Sequence, residues 1–258
     1  MRPAILFPLF AETRTLPGVG PKLERLIARA AGARLVDLIF DLPAGLIDRS
    51  YRPRLIDAEE GRIVTATVNV LDHMPPHDPR RPYRVRCSDD SATLELIFFR
   101  AKGDYLMRTL PPGTKRIISG RIERYKGNLQ MAHPDHIVDP EHADEIPLHE
   151  PVYRLTEELP AKSMAKAVRG ALEKLPQMPE WQDAAFHHVR GWSDFNTALL
   201  TAHTPRSESE LAHTTSPRMR LAYDELLANQ LALSLIRARL RTQKGRALKG
   251  NGRFKAKA

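Results

Sequence analysis

Residues 93–138 decide the fold of this chain, and they read TLELIFFR, AKGDYLMRTL, PPGTKRIISGRIERYKG and NLQMAHPDHIV in succession. The first segment is rich in the apolar and aromatic residues that strands prefer, and it ends in two adjacent aromatics. The last two segments are joined by a tight turn at residues 125–128. The stretch therefore predicts a strand, a short helix and two further strands.

Two more strands are predicted upstream. Residues 62–73, RIVTATVNVLDH, and residues 83–89, YRVRCSD, are separated by the proline-rich loop PPHDPRRP. The order strand, strand, strand, helix, strand, strand is that of the OB fold, a five-stranded Greek-key barrel. We predict a five-stranded OB-fold β-barrel, in which Gly120 provides the bulge that a small barrel needs in order to curl.

The other segments are mainly helical, so we predict an α+β multidomain protein with N-terminal helices, the barrel, and a C-terminal helical region with a long helix. The segments LFAETRTL, PKLERLIARA and LVDLIFDL read as helical, and the second has apolar Leu23, Leu26, Ile27 and Ala30 at helical spacing. Ser216-Pro217 marks the start of the long helix. The predicted parts are an N-terminal helical, helix-hairpin-helix-like region at 1–58, the barrel at 59–138, an acidic and proline-rich extended linker at 139–160, a helical region at 161–241 and a basic tail at 242–258.

The net charge of +9 belongs to the C-terminal end of the chain. Residues 235–258 contain nine Lys and Arg and no acidic residue, so the other residues are balanced in charge. A block of like charge is extended and solvated by itself, and it can bind a phosphate backbone. A frayed end or a linker explains the same block equally well.

Composition excludes several classes of protein. The single cysteine, Cys87, cannot form an internal disulfide or a cysteine-based zinc site. No apolar run approaches the roughly 20 residues of a membrane span. The first residues are interrupted by Pro3 and Pro8 and are not followed by a cleavage site of the signal-peptide kind. We therefore expect a cytoplasmic protein with no membrane partner.

Aromatic residues after the third predicted strand are the main candidates for binding. Phe98, Phe99 and Tyr105 are predicted near one rim of the barrel, where flat rings can stack on unpaired bases. Since side chains alternate along a strand, one of Phe98 and Phe99 must face the core, and we expect Phe99 to face outward. The basic residues predicted to bind phosphates around this rim are Arg84, Arg86, Arg100, Lys102, Arg121, Arg124 and Lys126. Scattered surface charge is the alternative for any single one of them.

A second candidate lies near the N-terminus. Gly18 and Gly20, followed by Pro21 and Lys22, are typical of the hairpin of a helix-hairpin-helix element. Glycines let backbone amides approach a phosphate, the next helix offers its positive end, and Lys22 adds charge. An ordinary turn between two helices has the same pattern.

No catalytic residue and no metal site are predicted. A phosphate-binding loop needs G-x-x-x-x-G-K-[ST], and the nearest segment, GRALKGN at residues 245–251, has neither the lysine nor the hydroxyl in place. His133 and His136 lack a third ligand. We therefore expect this chain alone to have no ATPase activity and to hold no cofactor.

Several motifs in order resemble the N-terminal part of the RecG family, bacterial ATP-dependent DNA helicases that act on branched DNA. They are LPGVGPK, DLIFDLPAGLIDRS, LIFFRAKGDYL, SGRIERYKGNLQMAHPDHI, PVYRLTEEL and RMRLAYDELLANQLALSLIR. The resemblance covers nearly the whole chain. It implies that the barrel is a wedge domain placed against a DNA fork, with a role in recombination and repair at replication forks and Holliday junctions.

The resemblance also implies roles for single residues and partners. It places Phe99 at the position of an aromatic that stacks on the base exposed at the branch, and Tyr105 near a second one that stacks on the other strand. ATP and Mg²⁺ are implied only for two motor domains that follow in the family, so a fragment is expected. The implied partners are branched DNA and, as a further candidate, single-stranded DNA-binding protein, with the chain itself a monomer.

Two alternatives stay open from the sequence. The barrel fits a general single-stranded nucleic-acid-binding OB protein, because base stacking tolerates any sequence. The helices fit a scaffold on which partner domains dock.

Overall fold

The structure is a computed structural model that describes residues 3–78, 80–99 and 103–242. The described residues divide into two compact units. The first lies within Met1–Met178 and Leu200–Ala212, and the second lies within Pro179–Leu199 and His213–Ala258. The predicted N-terminal region, barrel and linker all fall in the first unit. The predicted basic tail lies outside the described residues from position 243 onward.

Seven α-helices are found in the described residues. They are α1 (Pro21–Ala30), α2 (Leu35–Phe40), α3 (Gly103–Thr109), α4 (Ala161–Leu172), α5 (Ala184–Arg190), α6 (Phe195–His203) and α7 (Ser216–Thr242). The helices predicted at PKLERLIARA and LVDLIFDL and the long helix that begins at Ser216 are confirmed. The segment LFAETRTL was predicted to be helical but lies only partly in two 3₁₀ helices, Ala4–Phe10 and Thr13–Thr15. Between them the backbone is extended, because the carbonyl of Ala11 accepts the N–H of Leu35 at 3.0 Å and Glu12 pairs with Arg34.

Nine strands of the described residues form two sheets. The strands are β1 (Gly45–Asp48), β2 (Ile63–Met74), β3 (Tyr83–Ser88), β4 (Thr93–Phe98), β5 (Lys115–Arg121), β6 (Glu123–Tyr125), β7 (Asn128–Ala132), β8 (His136–Val138) and β9 (His149–Val152). The larger sheet has the order β6-β7-β4-β3-β2-β5-β8, and β1 pairs with β9 in the smaller one. All these pairs are antiparallel except β4 with β7.

The larger sheet keeps the predicted order of elements but differs from the predicted five strands. Helix α3 lies between β4 and β5, as expected. Ile122 interrupts the predicted fourth strand, because its backbone N–H donates to the carbonyl of Arg62 at 2.9 Å and its carbonyl accepts from the N–H of Gly61 at 2.8 Å. The strand is thereby split into β5 and β6, and β8 adds a further edge. The pairing order is open, so the ladders of the described residues do not close into a ring.

The core of the first unit lies beneath the larger sheet and α3. Alternating side chains of β2 and β3, together with Leu106 of α3, are fully buried. Gly120 does not form the predicted bulge, since it pairs in register with Val64, and the irregularity lies in β2 between Val70 and Asp72. Gly120 is required for another reason: a Cβ there would lie 2.8 Å from Sδ of Met131.

The smaller sheet joins two segments that were predicted to be a helical region and an extended linker. Residue Gly45 of β1 pairs with Val152 of β9. Arg49 follows β1 and is almost fully buried; its guanidinium donates to Ser119 Oγ at 3.1 Å and to Glu150 Oε2 at 2.7 Å. Residues 149–152 are therefore an integral strand of the fold, paired with β1. The prolines and acidic residues of this segment had indicated an extended linker instead.

The second unit is organised around Arg220 of α7. Its buried guanidinium contacts Glu180 Oε2 at 2.9 Å and Asp224 Oδ2 at 2.8 Å. The N-cap of α6 is Asp194, whose Oδ1 accepts the N–H of Thr197 at 3.0 Å. No helix among the described residues is both long enough and apolar enough to cross a lipid bilayer.

Candidate nucleic-acid interface

Phe99 is the exposed aromatic that the sequence predicted. It follows β4 directly, and its side chain is 53% exposed. Phe98 was also predicted to bind, but it is 7% exposed and packs in the core, so its ring has no face to offer to a base. The strand alternation that buries Phe98 is what turns Phe99 outward.

His133 holds Phe99 in place. Its Nε2 accepts a hydrogen bond from the backbone N–H of Phe99 at 3.2 Å, and the two ring centroids are 5.5 Å apart. His133 has a left-handed backbone with φ of +47°, and its own N–H donates to the carbonyl of Ile97 at 2.9 Å. From the sequence, His133 is a candidate metal ligand and not a residue that positions Phe99. Within the described ranges, no group of His, Cys, Asp and Glu could hold a metal ion.

Tyr105 lies on α3 and is 57% exposed. The helix is fixed by Leu106, which is fully buried, and by the carbonyl of Leu110, which accepts from Nε2 of His73 at 2.7 Å. The other nitrogen of His73 lies 3.0 Å from the hydroxyl of Tyr83. Burial of this phenol, followed by the charge of Asp104, raises the pKa of Tyr83. Two exposed rings, Phe99 and Tyr105, thus lie next to residues that are anchored in the core of the first unit, Phe98 and Leu106.

The basic residues on the face of β3 are already paired with acids. Arg84 Nη1 lies 3.4 Å from Glu95 Oε2, and Arg86 forms an ion pair with Asp72. Glu95 also accepts from the amide of Gln130 at 3.2 Å. The sequence predicted these arginines as phosphate ligands, but their charge is largely neutralised within the sheet. Arg100 and Lys102, which were predicted beside the aromatics, lie outside the described residues.

Arg124 and Lys126 lie at the opposite end of the sheet from Phe99, whereas Arg121 follows Gly120, where a Cβ would lie 3.3 Å from Cα of Pro134, the residue after His133. Strands β4 and β7 are parallel, and Ile97 pairs with Ala132, so Phe99 and His133 share one end. The turn from β6 to β7 precedes Asn128 and therefore lies beside the start of β4. With a rise of about 3.3 Å per residue, the two ends are about 20 Å apart. The predicted binding residues consequently form two groups instead of one rim.

The predicted N-terminal hairpin is only partly formed. Gly18 has φ of +84° and Gly20 precedes α1, as the turn requires. The element before the turn is the 3₁₀ helix Thr13–Thr15, so the arrangement is not a pair of α-helices. Nζ of Lys22 lies 3.4 Å from Glu158 Oε2, which offsets its charge. A role of these three residues in binding DNA stays a prediction.

The sequence of this chain is similar to part of known RecG helicases. No family model matches it. It is 24% identical over 244 residues to the ATP-dependent DNA helicase RecG of Aquifex aeolicus (strain VF5), covering 89% of this chain and 31% of that protein. It is 25% identical over 252 residues to RecG of Escherichia coli (strain K12), covering 94% of this chain and 36% of that protein. This chain is similar to the N-terminal portion of RecG.

A solved structure of RecG bound to a three-way DNA junction has the same fold. Its TM-score is 0.69 with 23% sequence identity, and the match covers 96% of this chain and 34% of the solved one. The chain thus spans about a third of the length of the RecG proteins that it matches. The resemblance to RecG named from the sequence motifs is confirmed, and so is a mixed fold of helices and sheets like that of the N-terminal region of RecG.

Proposed function

We propose that this chain is the branched-DNA-binding region of a RecG-like ATP-dependent helicase that acts in DNA recombination and repair. The likeness to RecG over most of the chain supports this proposal, and one of the matched structures is that of RecG bound to a three-way DNA junction. Replication forks and Holliday junctions are the proposed ligands. In this proposal, the ATP and Mg²⁺ of the helicase reaction belong to the part of the RecG relatives that this chain does not match.

The single observation that carries the proposal is the exposed ring of Phe99. Its backbone is held by His133 on one side and by the buried Phe98 on the other. A large apolar ring that is fixed in an exposed position is available for stacking without being reordered first. Stacking of a base on such a ring contributes about 1–3 kcal/mol and tolerates any base, as recognition of forks of any sequence requires.

We also propose that the larger sheet works as an OB-type wedge. The meander β2-β3-β4, the position of α3, and the parallel pairing of β4 with β7 support this assignment. Only Ile122 separates β5 from β6 along the chain. Because β5 pairs with β2 and β6 pairs with β7, this segment would close the sheet into a cylinder between β2 and β7. A wedge of this kind needs a rigid edge at the branch, and the buried core beneath the sheet would provide it.

The proposal is tested by titrating a fluorescent three-way junction and a duplex of the same length with the chain at several salt concentrations. We expect a preference for the junction, and Phe99→Ala to weaken junction binding about tenfold or more. Val189→Ala is the matched control, since Val189 is a highly exposed apolar residue of the second unit. Equal affinity for junction and duplex, together with no effect of Phe99→Ala, would contradict the proposal.

The same titration with single-stranded DNA distinguishes the proposed function from its main alternative. A general single-stranded nucleic-acid-binding protein would bind the strand as tightly as the junction, whereas a wedge prefers the junction. A docking scaffold would bind neither the junction nor the single strand.

We further propose that the chain is a cytoplasmic monomer and that single-stranded DNA-binding protein is a partner. Light scattering tests the monomeric state, and a pull-down with that purified protein tests the partner.

A further inference from the structure

We propose that the hairpin between β6 and β7, with Tyr125 and Lys126 at its tip, forms a second stacking contact with branched DNA. This inference rests on the proposed function. It adds a residue, Tyr125, to the binding surface, and it assigns the contact to nucleotides other than those at Phe99. The hairpin and Phe99 would then hold two separate places on one branched molecule.

Tyr125 is placed like a stacking residue. Its side chain is 56% exposed, and all three residues of β6 are exposed. It pairs with Asn128 across the turn. Lys126 and Gly127 both have positive φ, of +50° and +84°, which is the backbone of a tight two-residue hairpin turn. The ring is therefore carried on a short turn of defined geometry and not on a long loop.

Charge at the hairpin favours an anionic ligand. Nζ of Lys126 lies 5.5 Å from the centroid of the Tyr125 ring, so a cation accompanies the aromatic face. Among the residues that the structure describes, Arg124 and Lys126 take part in no ion pair, unlike Arg84 and Arg86 on the face of the sheet. Glu60 accepts the backbone N–H of Arg124 at 3.3 Å but leaves the guanidinium charge uncompensated. A base on the ring and a phosphate beside it match this pattern.

The distance between the two aromatic sites makes them independent. Phe99 lies after the end of β4, and the hairpin lies beside its start, about 20 Å away. Sites that far apart with no shared contact contribute additively to a binding free energy. A variant that lacks both rings should therefore lose affinity by the product of the two single-variant factors.

The experiment is a set of junction titrations with Phe99→Ala, Tyr125→Ala, Tyr125→Phe and the double variant Phe99→Ala/Tyr125→Ala in the whole chain. We expect Tyr125→Ala to weaken binding about tenfold, Tyr125→Phe to stay within about twofold because the ring is kept, and the double variant to lose about a hundredfold. Far-UV circular dichroism checks that each variant is folded.

Salt dependence gives a second readout. Lys126→Ala should lower the slope of log affinity against log salt by about one, because one phosphate contact is lost. Lys174→Ala, an exposed lysine after α4, should leave the slope unchanged. If Tyr125→Ala has no effect while Phe99→Ala weakens binding, the hairpin contact is refuted and the proposed function stands. If neither variant weakens binding and the chain binds junction and duplex equally, both proposals are refuted.

Discussion

The imidazole of His133 is packed against the ring of Phe99, with 5.5 Å between the centroids, and its Nε2 accepts the backbone N–H of Phe99. His133 follows β7 and Phe99 follows β4, so the parallel pairing of these two strands brings the residues together. The left-handed backbone of His133 turns its ring toward β4. One aromatic residue is thus oriented by another that lies 34 positions away in the chain.

We expect His133→Asn to weaken junction binding several-fold, but less than Phe99→Ala does. Asparagine tolerates the left-handed backbone, whereas the ring contact is lost and Phe99 is held less firmly. The lost hydrogen bond should lower the free energy of unfolding by about 1 kcal/mol. Fluorescence titration and urea unfolding measure the two effects. Exposed His142→Asn is the control, and equal affinities of the two variants would show that His133 does not position Phe99.

The sequence predicted the elements that depend on local patterns. The helical spacing in PKLERLIARA and the alternation in β2 each identify the element that the structure contains. The outward direction of Phe99 followed from the same alternation, since Leu94, Leu96 and Phe98 are needed in the core. These features were predictable because each is determined by residues close together in the chain.

The features that the sequence did not reveal depend on distant pairings. Nothing near Arg84 indicates that Glu95 would neutralise it, or that Arg49 would meet Glu150. The order of strands separates Lys126 from Phe99, although the sequence pattern predicted both at one rim of the barrel. Tyr125 could have been found as an aromatic beside a predicted two-residue turn, a position that is commonly exposed.

We expect Gly120→Ala to destabilise the first unit by about 1–3 kcal/mol. The added methyl group would lie 2.8 Å from Sδ of Met131 and 3.3 Å from Cα of Pro134, so the backbone after β7 must shift. Gly20→Ala is the matched control, because a Cβ there has no atom within 4 Å and its φ is −89°. Urea unfolding compares them, and equal losses of stability would refute this account of Gly120.

Cys87 should be unreactive toward thiol reagents in the folded protein. It is fully buried, and burial, followed by the charge of Asp72, raises the pKa of its thiol to about 12. Since the thiolate is the reactive form, labelling by a thiol-specific disulfide reagent at pH 8 should be very slow without denaturant and rapid in urea. Fast labelling of the folded chain would show that the strand carrying Cys87 opens readily.

The ion pair between Arg49 and Glu150 should make the stability of the first unit depend on pH in the acid range. His136 and the Arg49 guanidinium lower the pKa of Glu150 to about 2 from an ordinary value of 4.5. His136 Nε2 lies 3.7 Å from the carboxylate, beyond hydrogen-bond distance, so its contribution is electrostatic, whereas Arg49 donates at 2.7 Å. Because the folded-state pKa is the lower one, this stabilisation is complete above about pH 5 and is lost as the pH falls toward 2.

Glu150→Gln tests this linkage directly. At pH 7 the variant should be less stable by about 3 kcal/mol at most, since among the described residues the buried Arg49 then keeps one charged partner, Asp135, at 3.1 Å. The difference from the wild type should shrink as the pH is lowered from 5 to 2, because the wild-type carboxylate becomes neutral as well. Urea unfolding at several pH values measures it, with the exposed Glu141→Gln as control. A difference that stays constant over this range would mean that the charge of Glu150 contributes nothing and that its packing alone stabilises β9.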